Sequence, residues 1–282
     1  MTSETGPPAT PARDDGLFGP GSVTWRIMAE PVMWIAGLRA LYLQALHPEV
    51  MQGTWQNTSL ADRSQAWGRF TRTTQFVRVR TFGSTEQVER AGRRLRKIHS
   101  SLTGVDDQGR VFRLDEPELL LWVHCGEISS YAEIARRSGV PVSPAELDRF
   151  VAEQVRSAEV VGLDPAIVPA SLAELDDYYA RVRPGLRATP EARLALRGSF
   201  TPRLPAELMA LRLVLPPLNA LAFASLPRWA RRLYGTPASP LTDAATGLAL
   251  RAAYESTARI PRRVLFFPAR VAVAARRRRA AA

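Results

Sequence analysis

Three histidines, His47, His99 and His124, are all the chain contains, and each lies among apolar residues at helical spacing. His47 follows Leu43 by four positions and precedes Val50 by three; His99 follows Leu95 by four and precedes Leu102 by three; His124 follows Leu120 and Leu121 by four and three. On a helix such neighbours share a face, so all three imidazoles are expected to point inward. A single histidine on an apolar face is more often a satisfied core residue than a ligand. Three of three shift that balance, because burying an imidazole without a partner is costly. Together they invite a metal, a cofactor or a hydrogen-bonded network.

The familiar metal motifs do not fit. There is no HExxH, and no two histidines lie at ligand spacing on one element. The single cysteine, Cys125, allows no intrachain disulfide, no multi-cysteine zinc site and no CxxC redox pair. Two histidines and a carboxylate from separate helices stay open as a facial triad. Haem asks less of a sequence: one axial histidine, an apolar slot and a few cations for the propionates.

A second constellation is Arg69, Arg72, Thr73 and Phe76, spaced i, i+3, i+4 and i+7 along one stretch. If Phe76 faces the core, Arg69 and Thr73 line the same side. An inward arginine needs an anion or a polar cluster, since an unpaired buried charge is very unfavourable; the alternative is that these arginines snorkel to water or pair with carboxylates. Nucleophilic catalysis has little support, because no GxSxG elbow is present and Cys125, beside His124, points to a different face. Glycine-rich phosphate loops of the GxGxxG and GxxxxGK[ST] kinds are absent.

The elements that must hold these residues read as helical almost throughout. Pro31 to Met51 carries Trp34, Leu38, Leu41, Ala45 and Met51 close to one helical face. Ala61 to Arg80 continues with Trp67, Phe70, Thr74 and Val77, although Val77 to Thr81 is also compatible with a strand. Glu86 to Leu102 places Val88, Ala91, Leu95, Ile98 and Leu102 on one stripe. Gly104 to Arg110 signals a turn, and Pro117 then opens an apolar helix. Ser143-Pro144-Ala145-Glu146 and Ser171-Leu172-Ala173-Glu174 carry the chemistry of capped helix starts. Leu208 to Leu226 is the most apolar segment; broken by Arg212 and by Pro216-Pro217, it falls below the roughly 20 residues of a spanning helix and reads as a buried or interfacial helix pair. With no internal repeat and no run of alternating strands, the fold class is all-α.

Of 282 residues, 46% are hydrophobic and 23% charged, the proportions of a chain that buries a core. Residues 1–18 read as a flexible leader without the apolar stretch of a secretory signal, residues 19–258 as one helical domain, and residues 259–282 as a basic tail; the default compartment is the cytoplasm. The tail has eight arginines and no acid, so it carries +8 of the net +11 and leaves the body about +3. Its arginine clusters alternate with Phe266-Phe267 and Val-Ala stretches. That pattern suits an anionic membrane surface, at the inner membrane face, or a solvated extension; without a recognition fold beside it, nucleic acid is a poor partner.

Several motifs in one order resemble the rubber-oxygenase (latex-clearing protein) and MpaB oxygenase-like family: GPGSVTWRI from Gly19, LQALHPEVMQG from Leu43, RFTRTTQFVRVRTFG from Arg69, IHSSLTG from Ile98 and DEPELLLWVHCG from Asp115. VSPAELDRF, PASLAELDDYY and LPRWARRLYG extend the likeness to Gly235. The resemblance implies an α-helical domain and, in the family's rubber-cleaving branch, a globin-like core, haem b and the cleavage of a carbon–carbon double bond by dioxygen. It implies His99 as the axial iron ligand, and it places Arg69, Arg72 and Thr73 on the family's R-x-x-K-T helix beside the haem. Here that lysine is Arg72, which stays protonated and is a poor iron ligand. Counting back about sixteen residues from Arg69, to where the rubber-cleaving enzymes hold a glutamate, reaches Gly53; the nearest carboxylate is Glu49. Cys125-Gly126-Glu127 also departs from the small and apolar residues common in the family.

The expectation is thus a haem b-dependent oxygenase acting with dioxygen on a small or lipid-like hydrophobic substrate. His99 would ligate iron, Arg69 and Thr73 would bind propionate or polarise oxygen, and His47 and His124 would line the pocket, His124 nearer the substrate. Two competing expectations are a non-catalytic helical protein binding a hydrophobic ligand or partner, and a metal oxygenase without haem.

Overall fold

The computed structural model describes residues 14–58, 63–202, 204, 209 and 211–258; most of the leader and the whole basic tail lie outside them. Among the described residues the fold is helical, with one short hairpin as the exception, in agreement with the all-α expectation. The spine is a packed pair, α2 (Met33–Gln44) and α6 (Pro117–Ser138). Gly126 lets them approach: a Cβ there would stand 3.0 Å from the Gln44 side chain. Polar bonds close the seam, since Trp122 Nε1 donates to the Gln44 carbonyl and Gln44 Nε2 to that of Val123. The buried guanidinium of Arg39 donates to Ser130 Oγ, 2.7 Å away, and to the Ser225 carbonyl.

Around this spine, α10 (Leu211–Ala224) packs on α2 and α12 (Pro240–Ala258) on α6, while α7 (Pro144–Val161) covers α6 and α1 (Val23–Met28). Next out come α5 (Thr85–Ser100), lying on α7, and α4 (Arg63–Phe82), lying on α5 and α1. The remaining helices are α3 (Pro48–Asn57) and α8 (Leu172–Val182), both against α6, α9 (Pro190–Ser199), against α3, and α11 (Arg228–Leu233).

The helix starts follow local chemistry. Ser143 and Glu146 form the expected reciprocal box at α7. Ser84 and Gln87 form another at α5. At α8, Ser171 caps the Glu174 amide, but the Glu174 carboxylate reaches the Ala170 amide, one residue farther back than a box requires.

Several readings of the sequence are corrected. The stretch from Pro31 to Met51 is two helices, because Pro48 holds His47 in an extended conformation and restarts the helix; Trp34 and Leu41 are exposed. The 77–81 stretch is helix, not strand. The turn at Gly104 to Arg110 joins β1 (Thr103–Val105) to β2 (Val111–Arg113), an antiparallel hairpin with Gly104 opposite Phe112. In place of a helix pair, Leu211 to Ala224 is one helix through Pro216 and Pro217. The carbonyls those prolines leave free belong to Arg212 and Leu213, both exposed to water. Finally, part of the expected leader is bound to the body: the Asp14 carboxylate accepts from the Thr85 amide at the start of α5, and Phe18 is buried under the Arg156 guanidinium.

Candidate functional site

His99 lies in the last turn of α5, and its Nδ1 is buried without a hydrogen-bond partner. Burial lowers its pKa below the ordinary 6.5, opposed by the nearby Asp115 carboxylate and assisted by the Arg69 charge. The imidazole is therefore neutral and keeps a lone pair available. Arg69, on α4, is largely buried, with only a long contact of 3.5 Å to Thr54 Oγ1 on α3; no carboxylate among the described residues pairs with it. Burial, and after it the charge of Arg72, lowers its pKa, although a guanidinium stays protonated. A buried cation without an anion is costly, and among the described residues none supplies one. Asp115 does not fill that role, because it is held by Arg113 at 2.6 and 2.8 Å.

The rest of the predicted arginine helix does not join this pair. Arg72 and Thr73 are exposed. Of the face that held Arg69, Thr73 and Phe76 together, Arg69 and Phe76 are half-buried and Thr73 is exposed, while the neighbouring stripe of Phe70, Thr74, Val77 and Thr81 is half-buried to buried throughout. At about 100° per residue both stripes are continuous in sequence, and the packing of Phe70 against the core selects between them.

His47 and His124 are inward as expected, but in separate surroundings. His47 stands 6.0 Å from the Trp122 ring, its Nδ1 also buried and unpartnered, and burial with the Arg187 charge pushes its pKa down to about 4. His124 is buried beside Arg80; burial first and that charge second push it down to about 3. Among the described residues no group of three or more metal-ligating side chains could hold an ion. Cavities of about 300 Å³ at Phe200, Thr201, Pro202 and Arg212, and of about 150 Å³ along Ala166 to Pro169 beside Arg181, are not lined by any histidine.

A buried ion pair between α4 and α6 lies outside the constellations the sequence suggests. Arg80 Nη2 donates to Glu127 at 2.6 Å and Nη1 at 3.2 Å, with both side chains mostly shielded. The signal was there: Glu127 interrupts an otherwise apolar run three positions after His124, where both share one helical face. Gly53, where the resemblance would place a glutamate, is closed by apolar contact. A Cβ there would meet Leu114 at 2.9 Å and Phe112 at 3.3 Å. Glu49 instead pairs with Arg110 on the surface. Burial raises the pKa of the Cys125 thiol, which removes it as a nucleophile.

Haem b would require a neutral imidazole for the iron and a cation for a propionate. His99, with its shielded and unpartnered Nδ1, and Arg69, without a carboxylate partner among the described residues, fit those two donors, while neither cavity described above adjoins them.

Against known proteins, residues 25–260 match the family described as ER-bound oxygenase mpaB/B'/Rubber oxygenase, catalytic domain. No curated protein and no solved structure matches the chain.

Proposed function

The chain belongs to the mpaB/rubber oxygenase catalytic-domain family, matched over most of its length, and from that premise we propose a haem b-dependent oxygenase that uses dioxygen on a small hydrophobic substrate. The observation that supports it is the juxtaposition of His99, half-buried with its Nδ1 shielded and unpartnered, and Arg69, largely desolvated with no carboxylate partner among the described residues. His99 would hold the iron, and Arg69 would bind a propionate through a charge-assisted hydrogen bond. Bound there, haem would supply the iron chemistry that activates dioxygen. The remaining work falls to the protein: it excludes water and keeps His99 unprotonated. Arg72 and Thr73, both exposed, are given no contact with the iron side; the Arg72 charge acts on Arg69 from outside. Closure of the Gly53 position by Leu114 and Phe112 leaves no carboxylate there to act as a base, so a rubber-type substrate is not assigned.

Protein produced with a haem precursor is expected to show a Soret band that His99→Ala abolishes or shifts. Arg69→Gln removes an interaction of about 1.5–3 kcal/mol and is expected to weaken haem retention about tenfold or more, measured by transfer to apomyoglobin. A colourless protein whose melting temperature hemin does not change would defeat this reading in favour of a non-catalytic helical binder. Bound iron without a haem spectrum would replace it with a haem-independent metal oxygenase.

A further inference from the structure

On α12, Leu241 and Leu248 are 78% and 67% exposed, and with the exposed Ala245 and Ala252 they fall at i, i+4, i+7 and i+11. That spacing draws one outward stripe without a charge, and Glu255 marks its C-terminal end. On the adjacent α10, Leu213 is 83% exposed, with Pro217 and Ala220 exposed on the same face and Val214 beside it. Asp243, near the start of α12, is turned to the ion pairs with Arg228 and Arg231. The exposed Arg212 and Arg251 flank the two stripes. At about 1.5 Å per residue, α10 is roughly 21 Å long and α12 roughly 28 Å; no helix among the described residues is long and apolar enough to cross a membrane. The sequence that leaves α12 after Ala258 carries eight arginines and no acid, with Phe266-Phe267 between arginine clusters.

We propose that the outward faces of α10 and α12 dock on an anionic membrane surface, with the following arginine-rich segment neutralised by the lipid headgroups. An uncharged apolar face lies flat in the interface, and basic residues beside it each add attraction to anionic lipid. Charge complementarity selects this occupant. A second copy meeting the same face about a two-fold axis would bring two +8 segments toward one contact, whereas an anionic bilayer cancels them. A nucleic acid would satisfy the arginines and leave Leu213, Leu241 and Leu248 in water.

The test is sedimentation of the full chain with mixed phosphatidylcholine–phosphatidylglycerol vesicles, beside pure phosphatidylcholine. Binding is expected with phosphatidylglycerol, weakening as salt rises, and not with phosphatidylcholine alone. Leu241→Glu combined with Leu248→Glu, and separately Leu213→Glu, are expected to weaken it by about tenfold or more. These positions face solvent, so the melting temperature should hold. Replacing Arg276 to Arg279 by glutamine should weaken it as well. No binding to phosphatidylglycerol vesicles would overturn the proposal. So would loss of binding in the arginine variant alone, because the basic segment would then dock without α10 and α12. A dimer in light scattering that Leu241→Glu with Leu248→Glu dissociates would overturn it in favour of self-association.

Discussion

What separates the three histidines is the company each keeps. His47 has Trp122 and Arg187, His99 has Arg69 and Asp115, and His124 has Arg80. The sequence showed that all three turn inward, because that depends on neighbours three and four positions away. It could not show their partners, which come from other helices. Burial holds all three below 6.5, to about 4 for His47 and about 3 for His124, and this fixes the sign of a pH effect. Below pH 6.5 the unfolded chain binds protons that the folded chain refuses, so stability falls as pH drops. The loss from His47 ends near pH 4 and that from His124 near pH 3. Glu146, held down to about 2 by Arg26, adds a loss only below its ordinary 4.5. The interval from about pH 6.5 to 5 therefore belongs to the histidines. Thermal melts across it should show a falling midpoint, and His47→Gln with His124→Gln should flatten the slope. An unchanged slope in that double variant would mean the protons bind elsewhere.

The helices that hold the proposed site owe their positions to close approaches between elements. His99 is placed by α5, and α5 by its seam with α7, where Gly92 sits against Val160. A Cβ at Gly92 would stand 2.8 Å from the Val160 carbonyl oxygen and 2.9 Å from its Cγ1. Alanine in a helix interior normally gains about 1 kcal/mol over glycine, but this one would push backbone against backbone. Gly92→Ala is therefore expected to destabilise by about 1–3 kcal/mol, the usual range of overpacking, measured by urea unfolding; a stabilised variant would show that the seam yields freely. Elements with their own chemistry were legible in sequence: α6 from Pro117, α7 from its capping box, α5 from its long amphipathic stripe. Where two continuous stripes compete, as on α4, only the partner decides how deeply each is buried. Of the hairpin only the turn is legible, because strands of three residues carry no usable period. The course of α10 through two prolines depends on exposed carbonyls at Arg212 and Leu213, which is a tertiary property.

At the scale of the whole molecule, one core joins residues from Val23 to Leu250, and long-range bonds bind distant segments to the spine. Tyr234 donates to the Tyr42 carbonyl and the Arg187 amide to that of Leu46. The proposed site lies outside that spine, where α4 rests on α5 and α1 and its middle is only partly buried. Opening free energy follows buried apolar contact, so a structure built this way should open in order. Amides of α2 and α6 are expected to exchange with solvent most slowly, at the rate set by global unfolding, while those of α4 exchange sooner through local opening. If His99 and Arg69 grip haem between them, the ligand binds the closed form alone, and mass action must suppress that local opening. Added hemin should then slow exchange in α4 and the last turn of α5, and raise protection in α2 and α6 only through the global stability. Native-state hydrogen exchange followed by mass spectrometry separates these cases. Protection gained around Phe200 and Arg212 instead, with α4 unaffected, would move the ligand to the cavity there and leave the His99 pair as a structural feature of the fold.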